Sequence, residues 1–198
     1  MQNKDSVQTR MWQELAELYR SLIEKQRATQ ISQEHIFYWI RLARFLQKQG
    51  RSKDAINAYE QAISQAPKNI YLLNELGNAH LEAGHYGNAM QVYFQAISID
   101  SGFGWSYSNL SMALAGRGEH REAELLLLKS IDLLNGDKER AFTWNRLGDL
   151  YRTMGQYDNA SRAYQEADRI NPRILKDLDR SQWSSLSLID SFIYMLPA

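Results

Sequence analysis

The sequence contains no cysteine among its 198 residues. A disulfide framework, a thiolate metal site and a thiol nucleophile are all excluded. Proline is scarce, at three residues, so long helices meet few obstacles. Neither sign of charge is in surplus, with 23 Lys plus Arg against 23 Asp plus Glu. Wrapping a phosphate backbone needs a cationic excess, so nucleic acid is not expected as the partner. No apolar run approaches the roughly 18 residues of a membrane-spanning helix. Residues 1–5 lack the apolar stretch of a secretory leader. The expectation from these absences is a soluble, cytoplasmic protein without a membrane span.

What the sequence does contain is repetition. Trp39, Leu73, Tyr107 and Trp144 recur at spacings of 34, 34 and 37 residues. Three places after each stands a leucine: Leu42, Leu76, Leu110 and Leu147. A small residue follows directly: Ala43, Gly77, Ser111 and Gly148. Eleven residues after each marker comes Gly50, Gly84, Gly118 or Gly155, and five further on Ala55, Ala89, Ala123 or Ala160. Tyr59, Tyr93, Leu127 and Tyr164 then precede Ala62, Ala96, Ser130 and Ala167. The marker and leucine form one face of a first helix, which the glycine ends by entering positive φ. Ala, Tyr and Ala at spacings of four and three form the inner face of a second helix. Small residues let the two helices approach closely, and a following proline stops the second. One pair cannot bury its face alone, so pairs must stack.

These residues resemble the tetratricopeptide repeat. Trp144, Leu147, Gly148, Tyr151, Ala160, Tyr164, Ala167 and Pro172 reproduce nearly the whole family signature. The resemblance implies an all-α fold, a right-handed solenoid of four antiparallel helix pairs at residues 36–69, 70–103, 104–137 and 141–174. Residues 1–35 supply an N-terminal capping helix, with Val7, Met11, Leu15, Leu18 and Leu22 as its apolar stripe. Residues 175–198 continue as a C-terminal capping helix. The two glycines of residues 101–104 predict a loose joint between the second and third pairs. Residues 138–140, extra to the repeat, predict a first helix of the fourth pair longer by almost one turn.

Signs of chemistry are few. His80 and His85 are five residues apart with Gly84 between them, so they do not share a helix face, and His80 reads as a core residue. No phosphate loop or nucleophile elbow occurs. Pairs such as Glu122 with Glu124 point to different sides of a helix. No enzyme activity, metal or cofactor is expected.

In the resembled family the first helices line a concave surface that binds segments of other proteins. Carried onto this chain, that surface comprises Phe37, Ile40, Arg44, Tyr71, Asn74, Asn78, Trp105, Ser108, Asn109, Met112, Phe142, Asn145, Arg146 and Asp149. Phe37, Tyr71, Trp105 and Phe142 occupy the same place in successive repeats, read either as a row of groove contacts or as extra core. Some family members clamp a terminal carboxylate with Lys, Asn and Arg. Asn78, Asn109 and Arg146 match part of that pattern, while Asn74 and Phe142 stand where Lys is expected. The function expected is a protein-interaction module whose groove takes a peptide segment or helix. The alternative is a scaffold that assembles a homo-oligomer or larger complex through its ends and convex face. Leu186, Ile189, Phe192, Ile193 and Leu196 form an association surface for that purpose, because their segment is apolar on more than one side.

Overall fold

A computed structural model describes residues 33–172, with Glu17, Arg20 and Ser21 besides, and every regular element among them is an α-helix. In chain order these are α1 (Gln33–Lys48), α2 (Ser52–Gln65), α3 (Ile70–Glu82), α4 (Tyr86–Ile99), α5 (Gly104–Gly116), α6 (His120–Leu133), α7 (Asp137–Thr153) and α8 (Tyr157–Ile170). They make four consecutive helix pairs, the all-α class that the repeat implies. Glu17, Arg20 and Ser21 are helical and exposed. Residues 33–35, expected in the N-terminal cap, begin α1; the rest of the two capping segments, and with them Leu186, Ile189, Phe192, Ile193 and Leu196, lies outside the described residues.

The reversal inside each pair is chemically the same. Gly50, Gly84, Gly118 and Gly155 sit at φ 69°, 72°, 82° and 72°, the left-handed region that side chains disfavour. At the first, the Gly50 amide donates to Gln47 (2.8 Å) and the Arg51 amide donates back to Leu46 (2.9 Å). This doubly bonded ending satisfies carbonyls that a helix terminus otherwise leaves open. The same pair of bonds closes α3, α5 and α7, from His85 to His80, Glu119 to Leu114 and Gln156 to Tyr151.

The chain divides into two compact units, residues 1–72 and 73–198. In the first, α1 packs on α2 through Leu42, Ala43 and Leu46 against Ala55, Tyr59 and Ala62, each no more than 2% exposed. Tyr59 ends this contact by donating to the Gln47 side chain at 2.8 Å. In the second unit, each helix from α4 to α8 packs on its predecessor or successor around Tyr93, Leu110, Leu127, Leu147 and Ala163. A side chain at Gly148 would have its Cβ 2.5 Å from the Tyr164 ring. Gly77 stands in the same relation to Tyr93. The helices are thus as close as backbone and ring permit.

Two expectations about the connections separate here. α7 has 17 residues where α3 and α5 have 13, so the additional residues do enter its first turn. The joint at residues 101–104 is not loose. Asp100 accepts from the Gly102 amide at 2.8 Å, and the Tyr107 hydroxyl donates to the Ser101 carbonyl at 3.1 Å. Gly104 is buried, and a Cβ there would lie 2.9 Å from Leu134. Its glycine serves contact with α6, not freedom.

Ser130 replaces the alanine found at this place in the other repeats, and its buried hydroxyl has no hydrogen-bond partner. An unsatisfied buried hydroxyl costs about 1–3 kcal/mol. Ser130→Ala should therefore raise the melting temperature by a few degrees. Ala89, fully buried in the same unit, should behave oppositely. Ala89→Leu overpacks its crossing, and thermal denaturation should show a loss of about 1–3 kcal/mol.

Candidate functional site

The inner faces of α3, α5 and α7 in the second unit carry a connected set of polar side chains. The Asn74 amide nitrogen donates to Ser106 Oγ at 2.9 Å, and the Asn109 nitrogen donates to Asn74 Oδ1 at 3.3 Å. Arg146 then donates from Nη1 to Asn109 Oδ1 (2.9 Å) and to Ser108 Oγ (2.8 Å). Three successive first helices are thereby joined by side chains alone. The second helix contributes too, since the Tyr93 hydroxyl reaches Asn78 Oδ1 at 2.7 Å. That bond leaves the Asn78 amide nitrogen as a donor.

Arg146 is the electrostatic centre. Its guanidinium lies 4.5 Å from the centre of the Phe142 ring, one helical turn earlier on α7. Phe142 in turn meets Trp105 of α5 at 5.6 Å between ring centres. Every hydrogen-bond acceptor of Arg146 among the described residues is neutral. Burial pulls its pKa down to about 10, with Tyr93 acting weakly the other way. Burial likewise pushes the Tyr93 phenol well above its ordinary value. A cation withdrawn from water without an anion is costly, and neutral dipoles compensate only in part.

The expected groove residues are distributed unevenly around this centre. Asn74, Ser108, Asn109 and Phe142 are buried and belong to the connected set. Trp105 and Asn78 are half-buried at its margin, and Met112 is exposed beside it. Asn145 is buried but turns to its own helix, donating to the Ala141 carbonyl at 3.3 Å. Asp149 is exposed and engaged with Tyr164 at 2.9 Å and Arg152 at 3.2 Å. Trp105 and Phe142 touch each other, so in this unit the aromatic row is at least partly packing. In the first unit Ile40 is buried, while Phe37, Arg44 and Tyr71 are half-buried. Phe37 stands edge-on to Tyr38 at 5.8 Å, with Arg41 over its ring at 5.0 Å.

Tyr93 and Ser106 are members that the groove reading omitted. Tyr93 was legible only as a packing residue of a second helix, and Ser106 lies one place from an expected contact. The histidines stand as expected, His80 buried in α3 and His85 outside that helix. The tight helix ending at Gly84 folds the chain back and brings their rings to 5.9 Å. Among the described residues no group of three or more His, Cys, Asp or Glu is placed to hold a metal ion. No described helix is long and apolar enough to cross a membrane.

Residues 40–102 and residues 104–171 each match a family model described as a tetratricopeptide repeat. Among solved structures, MamA aligns at a TM-score of 0.65 and 18% identity, over 89% of this chain and 98% of that one. BtubC (BKLC) from P. vanneervenii aligns at 0.68 and 17% identity, over 82% of this chain and 74% of that one. Likenesses at this identity are likenesses of fold. A probable UDP-N-acetylglucosamine–peptide N-acetylglucosaminyltransferase SPINDLY from Hordeum vulgare is 30% identical over 126 residues. The match takes in 62% of this chain but only 13% of that protein's length.

The hydroxyl of Tyr93 gives a test of the connected set. Tyr93→Phe removes one buried hydrogen bond and should cost about 1 kcal/mol at neutral pH. The folded-state pKa of this phenol is raised, so its contribution is complete below the unfolded value of about 10 and declines as pH rises beyond it. Melting curves of wild type and variant should accordingly converge in alkaline solution.

Proposed function

Because the chain belongs to the tetratricopeptide-repeat family, whose arrays serve as protein-interaction or scaffold modules, we propose that α3, α5 and α7 form a groove that takes a segment of a partner protein carrying a carboxylate. The observation that supports this reading is Arg146, a half-buried cation whose described acceptors are all neutral. A carboxylate arriving at its remaining donors supplies the missing charge with a charge-assisted hydrogen bond. Asn78 provides a further donor for the segment's backbone carbonyls. Trp105 and Met112, half-buried and exposed, offer apolar contact on either side. The transferase activity named for the barley relative is not carried over, since this chain matches a small fraction of that protein.

One observation favours a second, scaffolding reading. Phe94 on α4 and Leu125 and Leu128 on α6 are 54%, 67% and 37% exposed, on second helices away from the groove. Exposed apolar groups on second helices suit a contact with another protein or copy. Leu125→Lys should then reduce molecular mass in light scattering while leaving peptide binding intact.

The groove reading is tested by selecting peptides from a random display library on the full chain and titrating them against Arg146→Gln. Selected peptides should be enriched in Asp or Glu. The variant should bind them about 10–100-fold more weakly, the effect of losing one charged hydrogen bond. Its melting temperature should change by only a few degrees, because replacing a poorly compensated, half-buried cation costs little. Equal affinity for wild type and variant would refute the role of Arg146.

A further inference from the structure

Within the groove reading, on which this inference rests, the donors of Arg146 are divided in a definite way. An arginine side chain carries five N–H donors and no acceptor. Nη1, which has two of them, is engaged twice, by Ser108 Oγ at 2.8 Å and by Asn109 Oδ1 at 2.9 Å. Among the described residues nothing accepts from Nε or Nη2. Those two nitrogens share one edge of the planar group, and their parallel hydrogens match the two oxygens of a carboxylate.

Asn109 holds this division in place. Its oxygen faces Arg146 because an arginine can only donate, and its nitrogen donates to Asn74 Oδ1 at 3.3 Å. The residue is 6% exposed, so both ends of its amide are fixed by partners within the protein. An aspartate has the same shape and would place a carboxylate directly on Nη1. Turning the Asn74 amide by half a circle, with the Ser106 hydroxyl then donating, would keep the bonds among the three. The repeat itself admits an acid at this place. Glu75 follows the marker Leu73 as Asn109 follows Tyr107, by two residues, and it too is buried. An aspartate would thus compensate Arg146 inside the chain and serve stability better than the residue present. Forgone stability of this kind accompanies sites kept open for a ligand.

We propose that Asn109 is the specificity-determining residue of the groove: a neutral acceptor that positions Arg146 while leaving its charge and its Nε–Nη2 edge to an incoming carboxylate. Asn109→Asp in the full chain tests this in two ways. Without any ligand, thermal denaturation of wild type, Asn109→Asp, Arg146→Gln and the double variant completes a cycle. Asn109→Asp should raise the melting temperature by a few degrees in the wild-type background and lower it in the Arg146→Gln background. With ligand, a peptide selected on wild type from the display library is titrated beside copies whose side-chain acids are changed to amides or whose C-terminus is amidated. Wild type should prefer the acidic form about 10–100-fold, and Asn109→Asp should bring that ratio close to one by weakening the acidic form alone. Arg146→Lys keeps the charge without the paired edge and should lose about tenfold on the acidic form. A preference that survives Asn109→Asp overturns the proposal, as does a cycle in which the two changes are additive. A merely structural role would weaken both peptide forms equally, which also overturns it. The groove reading fails separately, when selected peptides bind Arg146→Gln as tightly as wild type although the melting cycle shows coupling.

Discussion

A tyrosine ring occupying the space of an absent side chain is the contact on which this architecture depends. Tyr164 lies where a Cβ of Gly148 would be, and Tyr93 fills the same place at Gly77. The helices of a pair can then approach to backbone contact, which buries Ala89, Ala160 and Ala163 almost completely. Alanines contribute little area each, and only such closeness makes their burial useful. The left-handed glycine at each reversal aims the second helix into this contact. Without it, stacking of one pair on the next would have no fixed geometry to propagate.

The same tyrosine also connects framework to function. Tyr93 is fully buried through its ring, yet its hydroxyl reaches Asn78 on the inner face of α3. Packing and polar organisation are therefore joined in a single side chain. Arg146 is the opposite case, a residue that packing alone would not select. Its guanidinium is accommodated by Ser108, Asn109 and the Phe142 ring, none of which carries a negative charge. Sites that tolerate such an electrostatic deficit are commonly sites of recognition.

Helix existence and the reversing glycines were legible because each follows from local periodicity and backbone sterics. The added turn of α7 was legible from a count of residues. What sequence spacing misjudged were features that depend on a neighbour in space. Gly104 read as freedom because its contact with Leu134, thirty residues later, is invisible in a local window. Asn145, read as a groove residue from its helix position, is buried and donates its amide to the Ala141 carbonyl, a bond that spacing does not reveal. The chain of bonds from Ser106 through Asn74 and Asn109 to Arg146 spans three repeats. No single repeat contains the information for it.

The longer α7 bears on how such a chain changes in evolution. Its additional residues lie at the boundary between pairs and are helical, and the Trp144 repeat keeps its glycine reversal at the same place as the others. Gene changes that insert or delete a few codons at such boundaries are thus absorbed without shifting the inner-face residues. Codons gained inside a pair would rotate every later side chain by about 100° per residue. Length variation among descendants of this gene is accordingly expected to accumulate at residues 66–69, 100–103 and 134–140, the seams of the array.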